Sequence, residues 1–171
     1  TGVASPQPLF SRIGMVIAAL QSRFKGIDVP SQLLHNMLFG GYNKHFMPAR
    51  TDYDWLCTNT EAVDNYIADP HCGIVFCTKF FYDLARATLD IYKVSNLEKI
   101  PKTLPLLLMA GSQDAVGHMT KGVEKVYQLF QKAGIKDLKF KIYDRCRHEL
   151  LNEEIRLTIY QDIINWISSR L

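Results

Sequence analysis

Two short stretches hold titratable side chains where proton transfer could be organised. "AGSQDAVG", residues 110–117, carries Asp114, and "DRCRHE", residues 144–149, carries His148. An aspartate that fixes the tautomer of an imidazole, and stabilises the imidazolium formed when the ring takes a proton, is the orienting half of a catalytic triad. Plainer readings compete with this one. An aspartate in a turn usually caps local N–H groups, and a lone histidine is usually a surface or hydrogen-bonded structural residue. A zinc site is the wrong reading of "HELLN": the fifth position of an H-E-x-x-H motif is here Asn152.

A nucleophile is harder to find. Ser112 follows Gly111, but no G-x-S-x-G, the frame of a strained strand-to-helix elbow, occurs in the 171 residues. Cys146 lies two residues before His148 and reads as packing, with no second base nearby. His35, His45, His71 and His118 are scattered, and nothing in the pattern fixes their direction. Asp52 and Asp54 would share a face of an extended chain and could hold a cation; a solvated loop pair is the simpler reading.

The elements that must position Asp114 and His148 are legible in the second half. "LPLLLMAG", 104–111, is a continuous apolar run ended by Gly111, which predicts a strand buried on both faces. "LKFKIY", 138–143, alternates apolar residues with lysines and predicts a half-exposed edge strand. Between them Val123, Val126, Tyr127 and Phe130 mark one face of a helix over 121–133, stopped by Gly134. Asn152 reads as the cap of a final helix, with Glu153 and Glu154 at its positive end and Ile155, Ile159, Ile163, Trp166 and Ile167 along its apolar face. Strand, helix, strand, helix is a right-handed parallel α/β unit, and in such sheets functional groups gather at the C-terminal strand ends. Both Asp114 and His148 fall there.

The first half differs. Leu9, Ile13, Val16, Ile17, Leu20 and Phe24 recur at helical spacing over 8–25. Thr60 can cap a short helix that Pro70 closes, and Phe81, Leu84, Thr88 and Tyr92 predict a helix over 78–94. Between them "FGGYNKHFMPARTDYDW", 39–55, is a loop rich in aromatic and turn residues. No strand is expected before residue 100. The chain therefore divides into a helical region, 1–97, and an α/β region, 98–171. Two strands are too few for a stable open sheet, which usually has about four to six. Either the chain borrows strands from a partner, or it is the C-terminal part of something larger.

Composition narrows the function classes. The chain is 47% apolar and 22% charged, ordinary globular values. A net charge of +3 from scattered basic residues gives no footprint for nucleic acid. The longest apolar stretch, "GMVIAAL" at 14–20, is far short of a membrane span. "TGVASPQP" has neither an initiator Met nor the pattern of a signal peptide, and does not read as a native start. Four cysteines without C-x-x-C spacing point to a reduced, cytoplasmic chain.

The motifs together resemble one family. "LPLLLMAGSQDAVG" and "LKFKIYDRCRHELLNE" are similar to the last two core strands and loops of α/β-hydrolases in the serine aminopeptidase/monoacylglycerol lipase group, often called lysophospholipase-like. There the acid loop runs roughly G-x-x-D-P-V-G and the base loop Y-x-G-x-R-H-E-x-x-N-E. Gly111, Asp114, Val116 and Gly117 match the first; Tyr143, Arg147, His148, Glu149, Asn152 and Glu153 match the second. "FGGYNKHFMPARTDYDWL" and "VDNYIADPHCG" resemble the group's cap. The chain departs from the pattern at Ala115, where the family has Pro, and at Arg145 and Cys146, where the approach to the base is small and Gly-rich; Arg145 could change what the pocket tolerates.

The resemblance implies an α/β fold that is the C-terminal portion of an α/β-hydrolase: a helical cap plus the last two parallel strands and their helices, with an incomplete sheet. It implies Asp114 as triad acid and His148 as base, with the nucleophilic serine upstream of Thr1 on an N-terminal portion of the same protein. The family's pre-cap strand ends in Ser-Gly-Thr-Gly, and this chain opens with "TG". The implied activity is cleavage of carboxylic esters of acyl lipids, on a small acyl-ester substrate, with no metal or organic cofactor and with a transient lipid surface as a further partner. Phe39, Tyr42, Phe46, Met47 and Trp55 are the candidate lining of an acyl channel, or simply pack the cap on the core. The 171 residues alone are expected to be inactive. Two alternatives stay open: a non-catalytic interaction module that pairs its sheet edge with another chain, and a peptidase of the same fold.

Overall fold

The computed structural model describes residues 7–171. The strand end expected at Thr1 and Gly2 lies outside them.

Strand β1 (Leu106–Gly111) and strand β2 (Leu138–Tyr143) pair in parallel, in register from Leu106 opposite Leu138 to Gly111 opposite Tyr143. Helix α6 (Lys121–Lys132) makes the crossover. The two faces of this small sheet have separate cores, as the side-chain alternation of strands requires. Leu108 and Ala110 meet Val123 and Val126 of α6 on one side. On the other, Met109, Tyr143 and Cys146 pack with Leu150 and with Ile159 of α7 (Arg156–Ser168). Lys139 and Lys141 point to solvent, which is why the alternation of β2 was legible.

The first half is helical: α1 (Pro8–Lys25), α2 (Gln32–Phe39), a 3₁₀ turn over Tyr42–Phe46, α3 (Thr60–Ala68), α4 (Thr78–Ile91) and the single turn α5 (Val94–Leu97). Before residue 100 the described residues contain no strand, only an isolated antiparallel bridge between Pro30 and Cys77. Ala18, Leu34 and Phe81 form the centre of this half, with Phe76 and Phe80 stacked beside them. Among the described residues no helix is long and apolar enough to cross a membrane.

The helix expected over 8–25 forms with an unexpected packing, and two sequence expectations change. Helix α1 does not bury its large apolar stripe. It meets α4 through Ser11 and Ala18, small side chains that let the two backbones approach, and Leu9 and Phe24 are 73% and 81% exposed. The cap of α3 is Asn59 rather than Thr60: its side chain accepts hydrogen bonds from the amides of Glu61 and Ala62. Helix α7 starts at Arg156, not after Asn152, because residues 150–152 form a separate 3₁₀ turn and Glu153 is extended and drawn inward.

Candidate active site

Past their C-terminal ends the two strands stay zipped together. The Ser112 amide donates to the Tyr143 carbonyl (2.8 Å) and the Gln113 amide to the Cys146 carbonyl (2.9 Å). The Arg145 amide then donates to Ser112 Oγ at 2.8 Å. Ser112 is thus a loop fastener, not a nucleophile. Gly111 makes the approach possible, since a Cβ there would run into the carbonyls of Cys146 and Arg147. Arg145 occupies a left-handed conformation (φ 57°), which explains the small residue that the resembled motif carries at this position. Its side chain stands in solvent beside Asp144.

This zipped pair of loops brings Asp114 and His148 together. Asp114 is buried, and its Oδ1 accepts from the Val116 amide (2.9 Å) and lies 3.0 Å from His148 Nδ1. A carboxylate only accepts, so Nδ1 carries the proton and Nε2 is left to exchange one. The imidazole is one-fifth exposed and packs against the Trp55 ring, with centroids 5.6 Å apart.

A second set of contacts ties the base loop to residues 54–58. Glu153 is fully buried; its Oε1 accepts from the Arg147 amide (2.5 Å), and its Oε2 from the amide (3.0 Å) and hydroxyl of Thr58. The Arg147 guanidinium donates to the carbonyls of Asp54 and Cys57 and lies 4.2 Å from the centroid of the Phe46 ring. The Glu149 amide donates to the Leu56 carbonyl at 2.6 Å. Asn152, expected as a helix cap, instead donates its side-chain amide to Glu149 (2.7 Å). Arg147 and Glu153 therefore have positions that sequence reasoning missed. Their motif spacing was visible; that the pair faces inward was not.

His148 opens onto a cavity of about 540 Å³ between the helical half and the acid loop. Phe39, Tyr42 and Trp55 line it, together with Phe81 and the ring of His118. Phe46 and Met47 do not. Phe46 is taken up under Arg147, and Met47 is 71% exposed beside Pro48. His118, which the sequence left undirected, reaches the cavity from a left-handed run at His118, Met119 and Thr120. Ala115, in place of the family's Pro, is buried against the same wall. A second cavity, of about 410 Å³, lies under α7 at Lys139, Trp166 and Arg170 and shares no residue with the first.

Asp54, Cys57 and Cys146 have structural employment, whereas His45 joins the cavity lining. Asp54 accepts from the Arg50 amide (2.6 Å) and from the Thr51 hydroxyl (2.5 Å). Burial raises its carboxyl, and these bonds more than offset that, leaving it below the ordinary carboxylate range. Among the described residues no group of three or more His, Cys, Asp or Glu could hold a metal. Burial pushes the thiols of Cys57 and Cys146 up to about 11, the wrong direction for a nucleophile.

Comparison with known proteins gives this geometry its relatives. The family described as serine aminopeptidase, S33, matches residues 6–155. A thermostable carboxyl esterase from Bacillus coagulans superposes with a TM-score of 0.86 at 22% identity, over 99% of this chain and 55% of its own. A monoglyceride lipase from Saccharomyces cerevisiae gives 0.64 at 15% identity, over 99% and 53%. The monoacylglycerol lipase of Paleococcus ferrophilus gives 0.59 at 19%, over 98% and 56%. The chain thus spans about half the length of these structures, and its two-stranded sheet is an incomplete form of theirs. With the match over most of its length and the shared fold, this chain belongs to the serine aminopeptidase family of α/β-hydrolases.

Proposed function

We propose that the chain supplies the acid, the base and the lid of a serine hydrolase that cleaves carboxylic esters of acyl lipids. The observation that carries this reading is the 3.0 Å contact of His148 Nδ1 with buried Asp114, at the edge of a largely apolar cavity. The nucleophilic serine belongs to an N-terminal portion of the same protein. In the reaction His148 Nε2 takes the serine proton as Oγ bonds to the acyl carbon. It then gives that proton to the alkoxy oxygen as the C–O bond breaks, and repeats the exchange with water to release the acid. Asp114 keeps the ring oriented and stabilises its charged form; no cofactor takes part. Residues up to 97 act as the lid, with Phe39, Tyr42 and Trp55 along the acyl path and a lipid surface as transient partner. A reduced, cytoplasmic setting suits the four free cysteines.

A fluorophosphonate probe tests the proposal. The 171-residue chain alone should remain unlabelled. Joined to an N-terminal portion bearing G-x-S-x-G it should label, and His148→Ala should abolish labelling. Labelling of the isolated chain, or an upstream reading frame without such an elbow, refutes it. One observation favours a second reading as an interaction module: β1 is paired only with β2 among the described residues, so its other edge is open to another chain. A well-behaved monomer in size-exclusion chromatography counts against that.

A further inference from the structure

Residues 54–58 and the base loop meet around one pair of rings. The Arg147 guanidinium donates to the Asp54 carbonyl, and the Glu149 amide donates to the Leu56 carbonyl (2.6 Å). The residues between these two ties are Trp55 and His148, whose ring centroids lie 5.6 Å apart with the planes tilted by 42°. The Trp55 amide donates to Asn43 Oδ1 (3.1 Å), and its buried ring also meets Tyr42, with centroids 5.1 Å apart. The indole is therefore fixed both from the backbone and by a neighbouring ring.

Packing alone needs only an apolar side chain at this place. An indole adds a negative π-face, which attracts a cation within about 6 Å of its centroid. The imidazole becomes such a cation when Nε2 takes a proton. The other charges around it are already placed. Asp114 holds Nδ1 at 3.0 Å. Arg147 and Glu149 flank it in the chain, but the first is turned to the carbonyls of Asp54 and Cys57 and the second to Asn152. His45 and His118 share its cavity. Burial, and then the negative charge of Asp114, push the Tyr42 phenol up, so it stays neutral. We propose that Trp55 is a positioning residue for the reaction as well as part of the core: its ring stabilises the imidazolium of His148 and so sets the strength of the base. The inference rests on reading His148 as the general base, although the contact itself can be measured without catalysis. The sign is diagnostic. A ring that only excludes water disfavours the charged imidazole, whereas a π contact favours it.

The ring protons of His148, assigned with His148→Gln, would be followed against pH in the 171-residue chain by NMR. Trp55→Leu keeps an apolar residue and removes the π-face. The titration midpoint should then fall by ~0.4–1 pH unit, the size of a partly shielded cation–π contact. Trp55→Phe, with a weaker π-face, should fall between. A series that preserves shape covers the case of a misfolded variant. In a Trp166→Phe chain Trp55 is the only tryptophan, and ring-fluorinated tryptophan there should lower the midpoint further with each fluorine. An unchanged or raised midpoint in folded Trp55→Leu, or a midpoint indifferent to fluorine number, overturns the inference. In the chain joined to its N-terminal portion the same factor should appear in rate, with Trp55→Leu slowing fluorophosphonate labelling ~2.5–10-fold. A falling midpoint in a chain that never yields a labelled hydrolase refutes the hydrolase reading alone. A labelled hydrolase whose midpoint does not move refutes this inference alone.

Discussion

Replacing Glu153 by glutamine removes one oxygen acceptor from a place where two backbone donors cannot turn away. The Arg147 amide points at Oε1 and the Thr58 amide at Oε2, so either orientation of the new amide sets its NH₂ against one of them. The Thr58 hydroxyl can rotate to adapt; the amides cannot. A hydrogen bond to a charged group contributes about 1.5–3 kcal/mol, and the buried donor left unmatched costs about 1–3 kcal/mol. Burying a neutral amide in place of a carboxylate offsets part of this. The net expectation is a loss of about 2–4 kcal/mol, a large share of a typical domain's stability of about 5–15 kcal/mol. With a urea slope near 2 kcal/mol/M, the midpoint should fall by about 1–2 M. Hydrogen exchange should show the Arg147 or the Thr58 amide, whichever faces the new NH₂, losing protection. Glu154→Gln, next in sequence but exposed, is the control and should change stability by less than about 0.5 kcal/mol. A Glu153→Gln protein within about 1 kcal/mol of the parent, with both amides still protected, would refute the reasoning.

Three further substitutions probe the site. Gly111→Ala should push the base loop off the acid strand, lowering stability by about 1–3 kcal/mol or more and removing the downfield Nδ1 proton resonance of His148; a retained resonance contradicts the close approach. Arg145→Gly relieves a left-handed residue at a cost of about 1–2 kcal/mol, partly cancelled by glycine's entropy, so a small rise in thermal midpoint is expected and a fall is not. Asp54 has a lowered folded-state pKa, so its stabilisation is fully present above the ordinary carboxylate range and is lost as pH falls through that lower value. Asp54→Asn should therefore cost most near neutrality and little in strong acid; a penalty that grows on acidification contradicts this.

The α/β half was legible because each of its elements has one dominant signal. A run buried on both faces, an alternation with lysines and a 3.6-residue stripe each have one reading, and once the strands are placed, Asp114 and His148 follow at their ends. The helix over 8–25 was legible, but the face by which α1 packs was not, for the opposite reason. Its contact with α4 runs through Ser11 and Ala18, which contribute little to an apolar pattern, while its larger residues face outward. Glu153 was read as a helix-start charge because a buried carboxylate and an exposed one look alike until their donors are known. Two of those donors, the amide and hydroxyl of Thr58, are 95 residues away along the chain. Phe46 and Met47 share an aromatic loop with the true lining residues, and nothing local told the ring beneath a guanidinium from the ring facing a cavity.

The ties between residues 54–58 and 147–153 also have a mechanical consequence. Trp55 and His148 ride on one stiff frame, joined by amide, carboxylate and guanidinium links. Any swing of the helical half would therefore pivot on either side of residues 54–58, and His148 would keep Trp55 beside it throughout.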